Sequence, residues 1–170
     1  MTQSLFIITG AMAAGKTTVA NALARRFPRS ALVGGDVFRR MIVNGAAAMG
    51  PTLDVEARAQ LTLRQVIATD AVRRYVEAGF TVVYQDILIG HDLVAAVERL
   101  RDLDPRVVVL APSAEVLGQR DRDRPKTGYS EAFPPSVLAE ALARETPRIG
   151  QWIDSSAMDV EQVVETVLGR

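Results

Sequence analysis

Gly10-Ala-Met-Ala-Ala-Gly15-Lys16-Thr17 spaces two glycines, a lysine and a hydroxyl residue as G-x-x-x-x-G-K-[ST]. Glycines let a loop turn its backbone N–H groups inward, and a helix opening at the lysine adds the positive end of its dipole. The segment therefore reads as a cradle for phosphate. In such a cradle Lys16 places a point charge on the β- and γ-phosphates, and the Thr17 hydroxyl is a ligand for Mg²⁺. Gly10, Ala11, Met12, Ala13, Ala14, Gly15 and Thr18 complete the nucleotide-binding set, with ATP or GTP as the ligand. The context suits the motif, because an apolar run precedes it and a helical pattern follows. Of twenty basic residues only Lys16 and Lys126 are lysines, so wherever arginine would serve the chain has used it. Both lysines therefore suggest roles that need a compact ammonium.

The other candidates are carboxylates and arginines. Asp36 follows Val33-Gly34-Gly35 at the end of the second strand, where open α/β sheets bind ligands. A carboxylate there can accept the proton of an acceptor hydroxyl as phosphate arrives, and it can equally cap a helix expected over Val37 to Asn44. Asp86 ends the apolar run Val82 to Gln85, as an acid holding Mg²⁺ or its water would; starting a turn is the plainer role. In Arg120-Asp-Arg-Asp-Arg124-Pro-Lys126, Arg120 and Arg124 lie four apart and share a helix face, from which they could clamp the transferring phosphate. The alternative is a solvated helix laced with Arg–Asp pairs. Position along the chain places a lid at about residues 118–130. An acceptor pocket would draw on Asp36, Arg39, Arg64, Asp86 and His91, although a histidine and arginines such as Arg58 also suit a solvent-facing surface.

Short apolar runs alternate with segments of helical period, the βαβα pattern of a parallel sheet covered on both faces. Strands are expected at Leu5 to Thr9, Ala31 to Gly34, Thr81 to Gln85, Arg106 to Leu110 and Gln151 to Asp154. Helices are expected at Lys16 to Phe27, Val37 to Asn44, Asp92 to Arg101, after Pro112-Ser113, at Ser136 to Glu145 and at Asp159 to Leu168. The longest runs from an Asp54 cap to Ala78, with Leu63, Val66, Ile67 and Ala71 on one face. The small-residue stretch 45–52 reads as a mobile loop beside the acceptor. These elements make one three-layer α/β domain over residues 1–170.

Composition narrows the function classes. A chain of 170 residues should bury about 70% of its unfolded surface, enough for a core without cross-links. No cysteine is present, which removes disulfides, thiolate metal sites and cysteine nucleophiles. Twenty basic and twenty acidic residues cancel, so no broad field invites nucleic acid. No apolar run nears the ~20 residues of a membrane span, and the first residues read as a strand and not as a signal peptide. A cytoplasmic protein of open oligomeric state is the expectation. Asn-Lys-x-Asp, which reads guanine in regulatory GTPases, is absent, and the length leaves no room for the extra helical domain of oligomeric ATPase motors.

Gly10 to Thr17, Gly35-Asp36, Ala78-Gly79 before a strand ending at Asp86, and the arginine-rich lid together resemble chloramphenicol phosphotransferase and its antibiotic-kinase relatives. More distantly they resemble shikimate and gluconate kinases. The resemblance implies a five-stranded parallel sheet in the order 2-3-1-4-5 and transfer of a nucleotide γ-phosphate to a small-molecule hydroxyl. It also puts Asp36 in the place of the catalytic base. Gln85-Asp86 departs from the pair of adjacent acids in chloramphenicol phosphotransferase, so the acceptor pocket differs and chloramphenicol itself is not implied. A primary-metabolite kinase, acting on a sugar acid, nucleoside or nucleotide, and a nucleotide-binding regulator are the alternatives.

Overall fold

The computed structural model describes residues 4–50, 52–125 and 128–170; Pro51 of the expected loop and Lys126 of the expected lid lie outside the described residues. Along the chain come β1 (Leu5–Gly10), α1 (Lys16–Ala24), β2 (Ser30–Gly34), α2 (Gly35–Arg40), α3 (Val55–Glu77) and β3 (Thr81–Gln85). They are followed by α4 (His91–Arg99), β4 (Arg106–Leu110), α5 (Ala114–Arg122), α6 (Pro135–Glu145), β5 (Gln151–Ile153) and α7 (Val160–Leu168). The strands form one parallel sheet in the order β2-β3-β1-β4-β5.

Every residue of β1 is buried, as a strand covered on both faces requires. Its side chains alternate between two cores. Phe6 and Ile8 pack with Val19, Ala20 and Leu23 of α1 and Val163, Val164 and Val167 of α7. Leu5 and Ile7 face the opposite layer, with Ala68 and Val72 of α3 and Leu93 and Ala96 of α4. Fully burying each such aliphatic side chain contributes about 1.5–3 kcal/mol, so the sheet centre is the rigid base of the molecule. The chain leaves β1 toward β2 but leaves β3 toward β4, so the order reverses beside β1 and opens a crevice at the carboxyl ends of these strands. Among the described residues no helix is long and apolar enough to cross a membrane.

Three helices differ from expectation. The first stops at Ala24, and Arg25 to Phe27 continue as turns. The second spans Gly35–Arg40 and not Val37 to Asn44; it starts directly from extended Gly34 and gives out before β-branched Ile42-Val43 and Gly45, which has φ 77°. The third has its Asp54 cap, with the carboxylate accepting from the Ala57 N–H at 2.7 Å, but a different inner face. Leu63 and Ile67 are 53% and 41% exposed, while Arg64, Gln65 and Thr69 are buried with Ala57, Leu61, Ala68 and Val72. Arg64 faces inward because it meets the buried Asp86 just past the end of β3, while Thr69 bonds back to the carbonyls of Gln65 and Val66 in its own helix.

Candidate active site

The phosphate cradle is built by close approach. A Cβ on Gly10 would lie 2.4 Å from the carbonyl oxygen of Leu110, so only glycine lets β1 end tight against β4. Gly15 begins α1 at φ 91°, a left-handed conformation natural to glycine, and Ala13 also has positive φ, at 64°. The Lys16 ammonium donates to the carbonyl of Ala11 at 2.8 Å. The residue is half-buried and lines the cleft. Burial pushes its pKa down to about 8, with Asp86 and Asp36 partly opposing the shift. Thr17 and Thr18 are exposed on the first turn of α1, and the Thr17 hydroxyl has no hydrogen-bond partner among the described residues.

Across the crevice stands a three-member ionic group. Arg64 and Asp86 form a buried pair, Nη2 to Oδ1 at 2.7 Å, and Arg64 Nη1 lies 3.5 Å from Oδ1 of Asp36. Burial raises the Asp86 pKa, against which Arg64 and the Ile87 N–H work. The second oxygen, Oδ2, is buried without a hydrogen-bond partner, and a Cβ on Gly35 would fall 1.9 Å from it. Gly35 is thus a glycine because the Asp86 carboxylate occupies its side-chain space. Gly35→Ala should displace that carboxylate and, like other overpacked sites, cost about 1–3 kcal/mol in a denaturant titration. Wild-type stability in that variant would mean that Asp86 has another place to go.

Asp36 sits in the first turn of α2, which begins from Gly34 without a side-chain cap, so its expected capping role is corrected. Its side chain is 70% exposed toward the crevice. The loop following β3 is fixed by Thr9, whose Oγ1 donates to the Leu88 carbonyl and accepts its N–H, both at 2.9 Å. The start of the phosphate loop and the stretch carrying Asp86 are therefore locked together.

In the segment expected as a lid, Arg120 and Arg124 do not present one helix face. Arg120 reaches from α5 to the Ala14 carbonyl at 3.3 Å and the Ser155 carbonyl at 2.8 Å, tying the cradle to the turn after β5. Arg124 lies beyond the helix, paired with Asp121. Arg122 bonds Gln119 on the exposed face.

One open cleft of about 1480 Å³ gathers most of these groups. Met12 through Thr18, Asp36, Arg39, Arg64, Asp86, Arg120 and Arg124 line it. Gly10 and Ala11 lie beneath the cradle and shape it from below. His91 is exposed at the first position of α4 and does not line the cleft, which corrects its placement in the acceptor pocket. Arg58 pairs with Asp92 at 3.2 Å on the rim. The cleft exceeds the roughly 300–1,000 Å³ of a single small-ligand pocket, so it has room for two small ligands. Sequence reasoning missed Asp121 and Tyr129, which meet through the Tyr129 N–H at 3.0 Å; Asp121 was hidden in a run whose alternating charges suggested a solvated surface, and Tyr129 lies beyond that run, past Pro125. Among the described residues no three acidic or imidazole groups converge as a metal cage. Mg²⁺ in phosphoryl-transfer sites needs only one or two protein oxygens beside phosphate and water, and the unpartnered Thr17 hydroxyl and Asp86 Oδ2 suit it.

Several solved structures share the fold. The tunicamycin resistance protein of Deinococcus radiodurans superposes with a TM-score of 0.67 at 17% identity, covering 98% of this chain and 94% of that one. A gluconokinase from Sinorhizobium meliloti 1021 gives 0.67 at 18%, covering 98% and 90%. Shikimate kinase from Bacteroides thetaiotaomicron gives 0.58 at 19%, covering 97% and 94%. No curated protein matches this chain in sequence. The family model AAA_33, described as an AAA domain, matches residues 5–147, which run from β1 to just beyond α6 and contain the cradle, Asp36, the Arg64–Asp86 pair and the lid. On that match the chain belongs to the AAA_33 family of AAA domains.

Proposed function

We propose that the protein is a phosphotransferase that moves the γ-phosphate of ATP or GTP to a hydroxyl group of a small molecule. The supporting observation is that one cleft joins Lys16 and Thr17 to Asp36, an exposed carboxylate on the opposite wall. In-line transfer would form a bond from the acceptor oxygen to the γ-phosphorus and break the bond to the β–γ bridging oxygen. The acceptor proton passes to Asp36, and the nucleoside diphosphate leaves. Lys16 and Arg124 offset charge on the phosphate oxygens, while Arg120 holds the cradle and the nucleotide side in register. Thr17 and Asp86 would hold Mg²⁺, which when bound neutralises charge on the β- and γ-phosphates.

An antibiotic or related metabolite is the favoured acceptor, so the cellular role would be resistance by O-phosphorylation; the likeness to the tunicamycin resistance protein supports this. The likeness to a gluconokinase and a shikimate kinase keeps a primary-metabolite acceptor as the second reading. A nucleotide-consumption screen over antibiotics and metabolites tests both, with product mass as the check. An acceptor-dependent gain of one phosphoryl group is expected. Nucleotide binding with no acceptor-stimulated turnover would instead identify a nucleotide-binding regulator.

A further inference from the structure

Asp121 lies on α5 between two arginines, yet it is only 3% exposed. Its Oδ1 accepts from Arg124 Nη2 and, at 3.2 Å, from the Gly128 N–H. Its Oδ2 accepts from the N–H groups of Gly128 and Tyr129, each at 3.0 Å. Burial alone would raise its pKa, but the Tyr129 N–H, Arg124 and the Gly128 N–H hold it below the usual carboxylate range. The carboxylate thus gathers the far side of the lid onto the end of α5.

That gathered turn rests on the phosphate loop. The Tyr129 hydroxyl donates to the Met12 carbonyl at 2.7 Å, across 117 positions of sequence, and its ring meets Phe133 edge-on at 5.9 Å. Gly128 packs so close that a Cβ there would stand 2.3 Å from the Met12 sulfur. In a planar trans peptide the Ala13 N–H points opposite to the Met12 carbonyl. Pinning that carbonyl to the lid therefore sets the direction of an N–H belonging to the cradle.

We propose that Asp121 and Tyr129 are positioning residues. Asp121 holds Arg124 and the lid turn, and Tyr129 ties that turn to Met12, so the lid cation and the phosphate cradle take their places together. The role of Arg124 rests on the phosphotransferase reading; the tie between lid and cradle does not.

The test uses the full chain with Mg-ATP as the probe. Tyr129→Phe keeps the ring and removes one hydroxyl. It should weaken Mg-ATP binding in calorimetry by about 3–10-fold, because the free loop is no longer held in place, while the melting temperature falls by only a few degrees, the cost of one ordinary hydrogen bond. In turnover it should raise the KM for nucleotide and leave the KM for acceptor alone, a split that a general loss of structure would not give. Asp121→Asn should speed amide exchange at Gly128 and Tyr129 by at least about tenfold, because charged acceptors bind N–H groups more strongly. Wild-type Mg-ATP affinity in Tyr129→Phe, or unchanged exchange in Asp121→Asn, would overturn the proposal. A wild-type protein that binds Mg-ATP but phosphorylates no acceptor would refute phosphotransfer, while a weakened Tyr129→Phe would still support the tie. An active wild type with an indistinguishable Tyr129→Phe would refute the tie alone.

Discussion

Lys16→Ala is expected to lower turnover by at least ~10²-fold, since it removes the point charge that meets the β- and γ-phosphates. The same position should show an opposite effect on stability when no nucleotide is bound. Burial depresses the Lys16 pKa from 10.5 to about 8. Between those values the unfolded chain holds a proton that the native protein has released, so stability from this group rises with pH across that window. Below about pH 8 the charged ammonium is a cost on the order of 1–3 kcal/mol. Lys16→Met, which keeps the enclosed stem, should therefore melt several degrees higher than wild type at neutral pH and lose that advantage toward pH 10.5. Bound phosphate supplies the missing counter-charge, so saturating nucleotide should narrow or reverse the gap. A methionine variant that melts lower than wild type at pH 7 would contradict the depressed pKa. Wild-type turnover in the alanine variant would take the lysine out of the phosphate site.

Asp36→Asn should lower kcat by ~10²–10⁴-fold and leave nucleotide affinity nearly unchanged. Asparagine keeps the shape but cannot take a proton from the acceptor hydroxyl. The carboxylate caps no helix, so little structure is at stake. Its nearest charged partner, Arg64, remains bound to Asp86 when Asp36 is neutralised. Single-turnover kinetics with the acceptor found by the screen would separate the chemical step from binding. Full kcat in the asparagine variant would pass the base role to another group, with Asp86 next in line.

The sheet could be read in the sequence because its strands are short apolar runs punctuated by glycine and proline. β3 and β4 fall on the expected residues, and the strand order is the one the family resemblance implies. The inner face of α3 could not be read in this way. Its pattern gathers Leu63, Val66, Ile67 and Ala71 on one apolar face, yet Leu63 and Ile67 are exposed and Arg64 is buried, because its partner is a buried acid 22 positions away. Local pattern cannot reveal a buried charge whose compensation comes from another element. The lid shows the same limit: Asp121 looks like one member of an alternating charge run, and only the fold brings Gly128 and Tyr129 back to it.

The segment between α2 and α3 is attached differently from the rest of the cleft. Gln60 holds its middle, accepting from the Ala47 N–H at 2.9 Å and donating to the Gly45 carbonyl at 2.8 Å. Ala46, Met49 and Leu53 line the cleft from this segment, whereas Lys16, Asp86 and the Thr9–Leu88 lock belong to the sheet ends. Two walls of one cleft thus come from differently anchored parts of the chain. In protein-engineering terms the segment is a cassette: Ala46, Met49 and Leu53 can be exchanged or randomised while the groups anchored to the sheet ends are inherited intact. In evolutionary terms the same division would let one wall of the cleft vary while the other is kept.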